Sequence, residues 1–105
     1  MVIFREEQSF LVQLLVAFLV IFLMFYFRLP AIEKVVLIIV INLILILEII
    51  NTAIERVLDI IEPNFDPRVG KVKDLVSAIV LFASLGAVVI GLIIFWPYFL
   101  ALLGL

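Results

Sequence analysis

The residues with the most chemistry in this sequence lie in one short segment, Glu48-Ile49-Ile50-Asn51-Thr52-Ala53-Ile54-Glu55-Arg56-Val57-Leu58-Asp59. Glu48, Asn51, Thr52, Glu55 and Asp59 recur at i, i+3, i+4, i+7 and i+11, the spacing of a single stripe along an α-helix. Three carboxylates on one stripe repel one another, and a carboxylate beside hydrocarbon is costly. A cation or a cationic partner makes such a stripe tolerable. Glu and Asn oxygens suit a hard metal, and magnesium keeps some waters while taking its remaining ligands from phosphate. The plainer alternative is a solvated helix end with intrahelical pairs, for instance Arg56 with Asp59 at i, i+3. The stripe begins directly after the apolar run from Val35 to Leu47, broken only by Asn42, and that placement favours the functional reading.

Other polar residues are fewer. Lys71, Lys73 and Asp74 open a later apolar stretch. A Lys there is usually an interface anchor, but beside an acidic metal stripe it would help to form a phosphate site with the N–H groups of a helix start. Glu6 and Glu7 precede the first apolar stretch and would alone be surface charge. Asn42 reads as an interhelical hydrogen-bonding group, and Trp96, Tyr98 and Phe99 as an interfacial aromatic belt. With no Cys and no His, thiol chemistry, disulfides and ordinary zinc sites are excluded. Any metal must sit on oxygen, and acid–base work falls to Asp, Glu, Lys or Tyr. The net charge of -2 and the lack of a basic patch give no sign of nucleic acid binding. No Gly-rich phosphate loop is present.

These residues must be positioned by membrane helices. Of the 105 residues, 69% are hydrophobic, against roughly 45–50% for an ordinary soluble domain. The expectation is an all-α integral membrane protein, a single domain over residues 1–105, with three transmembrane helices at about 10–27, 35–60 and 75–103. Pro30 closes a tight first link. The second link, Glu62 to Gly70, carries Pro63, Asn64 and Pro67 and reads as an ordered break. Glu6 and Glu7, and the long apolar run after them, do not suit a cleaved signal, so that segment is expected to be retained. Arg5, Arg56, Arg68, Lys71 and Lys73 outnumber Arg28 and Lys34, which predicts a cytoplasmic N-terminus and second link. Ser77, Ala78, Ala83, Ser84, Gly86, Ala87 and Gly91 predict close helix packing along the third span. Three spans cannot enclose the acidic stripe, so a homo-oligomer is expected.

The run Glu48-x-x-Asn51-Thr52-Ala53-Ile54-Glu55-x-x-x-Asp59, followed by Lys73-Asp74 and by Ser77-Ala78, resembles the prokaryotic diacylglycerol kinase family. The tail Gly91-Leu92-Ile93-Ile94-Phe95-Trp96-Pro97 is similar to its undecaprenol kinase branch, and the similarity runs from about Glu6 to Pro97. The resemblance implies a homotrimeric helical bundle in the bacterial cytoplasmic (inner) membrane, with sites between subunits at the cytoplasmic face. It implies transfer of the γ-phosphoryl group of ATP to the hydroxyl of a membrane lipid, diacylglycerol or undecaprenol, with Mg2+ as cofactor. On this resemblance Glu48 is the general base, and Glu7 and Glu55 hold magnesium and with it the nucleotide. Asp59, Lys73 and Asp74 complete the nucleotide site, while Asn51 and Ser77 join Glu48 at the lipid substrate.

The chain also departs from the family pattern. Members usually carry an amphipathic helix before the first span, whereas Met1 to Glu6 alone precede the matching acid. Ser9, Leu11 and Gln13 replace frequent Asn, Arg and His, and Phe65-Asp66 replaces a frequent Tyr-His. Weak contacts to adenosine and poor discrimination between ATP and GTP are the expected result. The competing reading is a non-catalytic trimeric membrane protein of the same fold that binds divalent cations. A channel or transporter subunit fits less well, because the first and third spans carry no charge within the membrane.

Overall fold

The computed structural model describes the backbone of residues 2–64 and 66–105 and the side chains of residues 10–64 and 66–105. Three helices make up almost all of it, α1 (Val2–Tyr26), α2 (Ala31–Ile61) and α3 (Pro67–Leu102), in agreement with an all-α chain. Each runs past the apolar stretch that forms its middle. A helix satisfies its backbone internally in lipid and in water alike, so the membrane boundary does not end it. The starts of α2 and α3 are set by proline instead. Pro30 is the N-cap of α2, and Pro67 occupies the first turn of α3, where its missing N–H costs nothing.

The helices α2 and α3 are long and apolar enough to cross a membrane, and α1 contributes a shorter apolar helix over Phe10–Tyr26. The outer surface is covered by residues such as Phe18, Phe22, Ile39, Phe82 and Ile93, all exposed. Lipid, not water, is the solvent for such a surface. The molecule is 57 Å long, against a hydrocarbon core of ~30 Å. Polar helix ends therefore have room to stand clear of the acyl chains.

The turn from α1 to α2 ends the first helix with a backward-reaching pair of bonds. The Leu29 N–H donates to the Met24 carbonyl at 3.0 Å and the Arg28 N–H to that of Phe25 at 3.3 Å. Between them Arg28 takes a left-handed conformation, φ 54°. The same closure recurs at the other end of the chain, where Leu105 bonds to Leu100 and Gly104 to Ala101, with Gly104 at φ 79°. Leu29 is folded inward and joins Met24, Leu37 and Phe95 in the buried core.

The central element is α2, with α1 and α3 each packed against it. Its buried stripe is Leu37, Ile44 and Glu48; Leu37 packs with Met24 from α1 and Phe95 from α3, and Val80 of α3 is buried as well. Lipid tails are as apolar as Leu, so this core gains from close packing and not from escape from water. At the end near the first link, Phe27 packs on Phe95, Tyr98 and Phe99, and the Tyr98 hydroxyl donates to Glu33 Oε1 at 2.9 Å. Tyr98 thus turns inward, while Trp96 and Phe99 keep the exposed positions of an aromatic belt. The small residues of α3 divide: Ala83, Ser84, Ala87 and Gly91 are half-buried, whereas Ser77, Ala78 and Gly86 are exposed. Between α1 and α3, floored by α2, lies an apolar cleft of about 410 Å³ that includes Ala17, Val20, Ile41, Ile44, Leu45 and Ala87 in its walls.

Candidate active site

The acidic stripe begins one helical turn beyond the cleft wall on α2. Ile44 lies in that wall, and Glu48 follows one helical turn later on the same face of α2. Glu48 is only 6% exposed, the one charged side chain among the buried residues described. Beyond it Asn51, Thr52 and Glu55 are half-buried and Asp59 is exposed, so the stripe passes from the packed interior to the surface within three turns. The helical spacing expected of these residues is therefore realised as a single graded face.

Lys73 approaches that face from α3 and donates from Nζ to Asp59 Oδ1. This contact joins two residues that the sequence separates by a link. Asp74 and Ser77 follow on α3 but stay exposed. Within one chain the structure brings Lys73 to the stripe and leaves Asp74 and Ser77 on the outer side. The side chains of Glu6 and Glu7 lie outside the described residues.

The start of α3 is arranged differently from a phosphate site built on free helix-start N–H groups. Asp66 is the N-cap: its Oδ1 accepts from the Arg68 backbone N–H at 2.9 Å and from Arg68 Nε at 3.3 Å, and Oδ2 accepts from Nη2 at 2.9 Å. The Arg68 side chain, and next its backbone N–H, hold the Asp66 carboxyl below the usual carboxylate range. The helix start is thus already supplied with an anion, and Lys73 lies further along, in the second turn. An Asp followed by Pro at the first helical position is a cap signal, and it was available in the sequence. The Glu33–Tyr98 bond had no such signal.

The oxygen set fits a hard divalent cation. Asn51 Oδ1 is buried and has no hydrogen-bond partner, a state that costs about 1–3 kcal/mol until a donor or a cation meets the oxygen. It lies one turn from Glu48 and from Glu55, so the available ligands are all oxygen. Among the described residues no three acids converge closely enough to enclose a metal by themselves. A site of this kind is completed by phosphate oxygens and water, and Glu7 is the further acid expected there.

Comparison with known proteins identifies the family. The model of the prokaryotic diacylglycerol kinase family matches residues 1–95. Diacylglycerol kinase of Escherichia coli (strain K12) is 42% identical over 69 residues, covering 66% of this chain and 57% of the relative. Diacylglycerol kinase of Shigella flexneri matches with the same identity and coverage. The chain thus spans little more than half the length of the curated relatives it matches. A family match over nine-tenths of the chain, which includes the whole of the α2 stripe and Lys73, is decisive: the chain belongs to the prokaryotic diacylglycerol kinase family.

Proposed function

We propose that the chain is an ATP- and magnesium-dependent lipid kinase of the bacterial inner membrane. It works as a homotrimer of three-span subunits, with the N-terminus and the second link on the cytoplasmic side. The observation that carries this reading is the place of Glu48, buried one helical turn beyond Ile44 in the wall of an apolar cleft and at the head of a stripe that ends in the Asp59–Lys73 pair. A lipid tail in the cleft and a nucleotide at the charged end would meet at this carboxylate. That the matched relatives are diacylglycerol kinases supports the same choice.

In this mechanism Glu48 accepts the proton of the lipid hydroxyl as that oxygen bonds to the γ-phosphorus. The bond from phosphorus to the bridging oxygen breaks, and ADP leaves. Asn51 orients Glu48 or the phosphoryl group. Lys73, held by Asp59, balances charge on the phosphates. Glu7 and Glu55 would hold magnesium, which when bound neutralises phosphate charge. Asp74 and Ser77, exposed on α3, serve a nucleotide or lipid across the boundary with a neighbouring subunit, in keeping with sites formed between subunits.

The acceptor is diacylglycerol or undecaprenol, since an apolar cleft takes either tail. Purified protein in mixed micelles, given γ-labelled ATP and magnesium with each lipid in turn, tests the proposal. Label in phosphatidic acid or in undecaprenyl phosphate is the expected outcome. No labelled lipid with either acceptor would leave the non-catalytic cation-binding reading in its place.

A further inference from the structure

Glu48, Asn51, Glu55 and Asp59 divide the work of phosphoryl transfer on the α2 stripe, and Thr52 sits in their midst. It is half-buried, four residues after Glu48 and three before Glu55. At about 1.5 Å of rise per residue it lies roughly 6 Å along the helix axis from the first and roughly 4.5 Å from the second. Residues at those intervals are neighbours on one helical face, so Thr52 stands between the two carboxylates.

Its place relative to the cleft is equally defined. Ile41 and Leu45 line the cleft, and Thr52 follows them at i+11 and i+7, which returns it to nearly the same direction around α2. Val40 and Ile44 form the neighbouring line of the cleft wall, and Asn51 continues it at the same two intervals. The two lines that wall the cleft on α2 therefore end side by side in an amide and a hydroxyl, just beyond Glu48. Asn51 Oδ1 is a buried acceptor without a partner and suits a cation. The Thr52 hydroxyl can donate. A phosphoryl group moving from the nucleotide end of the stripe to a lipid oxygen at Glu48 crosses this pair.

We infer that the Thr52 hydroxyl donates a hydrogen bond to a non-bridging oxygen of the γ-phosphoryl group as that group passes to the lipid hydroxyl. No proton moves through Thr52. Glu48 takes the proton of the lipid hydroxyl, the new bond forms between that oxygen and phosphorus, and the bridging bond to ADP breaks. A neutral donor suits this position. A cation beside Glu48 would favour the ionised carboxylate and weaken it as a base, whereas a hydroxyl serves the phosphoryl oxygens without that cost. The plainer role of a helical Thr is a bond from its hydroxyl to the carbonyl four residues back, which would make Thr52 part of the fold and not of the reaction. The inference rests on the proposed function, whose base and acceptor it uses.

Thr52→Val keeps the shape and removes the hydroxyl, while Thr52→Ser keeps the hydroxyl and removes the methyl. With γ-labelled ATP, Thr52→Val should lower kcat by about 10- to 100-fold, with little change in the KM for magnesium-ATP or lipid. Thr52→Ser should recover most of the loss. A second readout needs no turnover. Affinity for magnesium-ADP with fluoroaluminate, which mimics the phosphoryl group in transfer, should fall by a similar factor in Thr52→Val, while affinity for magnesium-ADP alone is unchanged. A bond to the helix backbone would alter thermal stability and leave that difference in affinity as in the wild type. An unaltered kcat in Thr52→Val, a loss shared equally by magnesium-ADP with and without fluoroaluminate, or a Thr52→Ser enzyme as slow as Thr52→Val overturns the inference. A wild type that labels no lipid overturns the proposed function and this inference with it, whereas an active wild type matched by Thr52→Val overturns this inference alone.

Discussion

Lys73, in the second turn of α3, donates to Asp59 near the end of α2 and so ties together the charged ends of the two helices on either side of the second link. Both side chains are partly exposed, 33% for Lys73 and 48% for Asp59. A pair so placed adds roughly 0–1 kcal/mol to stability. Its consequence is directional: it holds a mobile cation beside the Glu48–Glu55 face.

If Asp59 acts by aiming Lys73, the two residues will not behave independently. Lys73→Met should raise the KM for magnesium-ATP by about tenfold or more, and Asp59→Asn by less, because a charge-assisted bond is lost in each case. The double variant should be no worse than Lys73→Met alone. Steady-state kinetics of the four proteins decides the matter, and additive losses would mean that Asp59 meets the nucleotide itself.

Glu48 and Glu55 stand on one face but are assigned different work, so their amide variants should fail differently. Glu48→Gln keeps the shape and loses the proton acceptor; kcat should fall by about 10²–10⁴-fold, with nucleotide binding retained. Glu55→Gln should instead raise the magnesium concentration needed for half-maximal rate, because it removes a ligand. A Glu48→Gln enzyme of near-normal kcat, or a Glu55→Gln enzyme with unaltered magnesium dependence, would remove that residue from its role.

The two left-handed helix ends make a stability test. Arg28 at φ 54° and Gly104 at φ 79° occupy equivalent places, and only glycine adopts that conformation without steric cost. Allowing for the extra freedom of glycine in the unfolded chain, Arg28→Gly should stabilise by about 0.5–1 kcal/mol. Arg28→Val should destabilise, since a β-branched residue is worst at positive φ. Unfolding by SDS in mixed micelles measures both. A loss of stability in Arg28→Gly would show that the guanidinium makes contacts worth more than the strain.

Much of this was legible in the sequence because periodicity is a local property. Glu48, Asn51, Glu55 and Asp59 had to share a face once the segment was helical, and hydropathy alone made it a membrane helix. What crosses between elements was not legible. Lys73 with Asp59 and Tyr98 with Glu33 depend on how α3 docks on α2, which no spacing within either helix encodes. The small residues of α3 were read as one packing surface, yet they divide between the inner and outer faces, because nearly every face of that helix is apolar and none is marked as the inner one. Gly91 illustrates the point: a Cβ there would meet nothing, so its smallness is not required by contacts within the chain.

The Asp66 cap gives the fold a pH dependence of known sign. Arg68 lowers the Asp66 carboxyl from its ordinary value of 3.8. A depressed carboxylate contributes stability that is complete above the unfolded value and is lost as pH falls through the folded one. Acidification from about pH 6 to about pH 2 should therefore erode the contribution of this residue. Asp66→Asn keeps a good capping side chain but not the charge, so it should melt below the wild type at neutral pH and converge with it in acid. Asp66→Ala, which has no cap, should stay below both. The Arg68 side chain is 90% exposed, so added salt should narrow the gap between wild type and Asp66→Asn at neutral pH. Thermal unfolding in detergent across pH and salt supplies all of these comparisons. A gap between wild type and Asp66→Asn that holds constant down to about pH 2 would mean that the charge contributes nothing and the cap acts through its hydrogen bond alone.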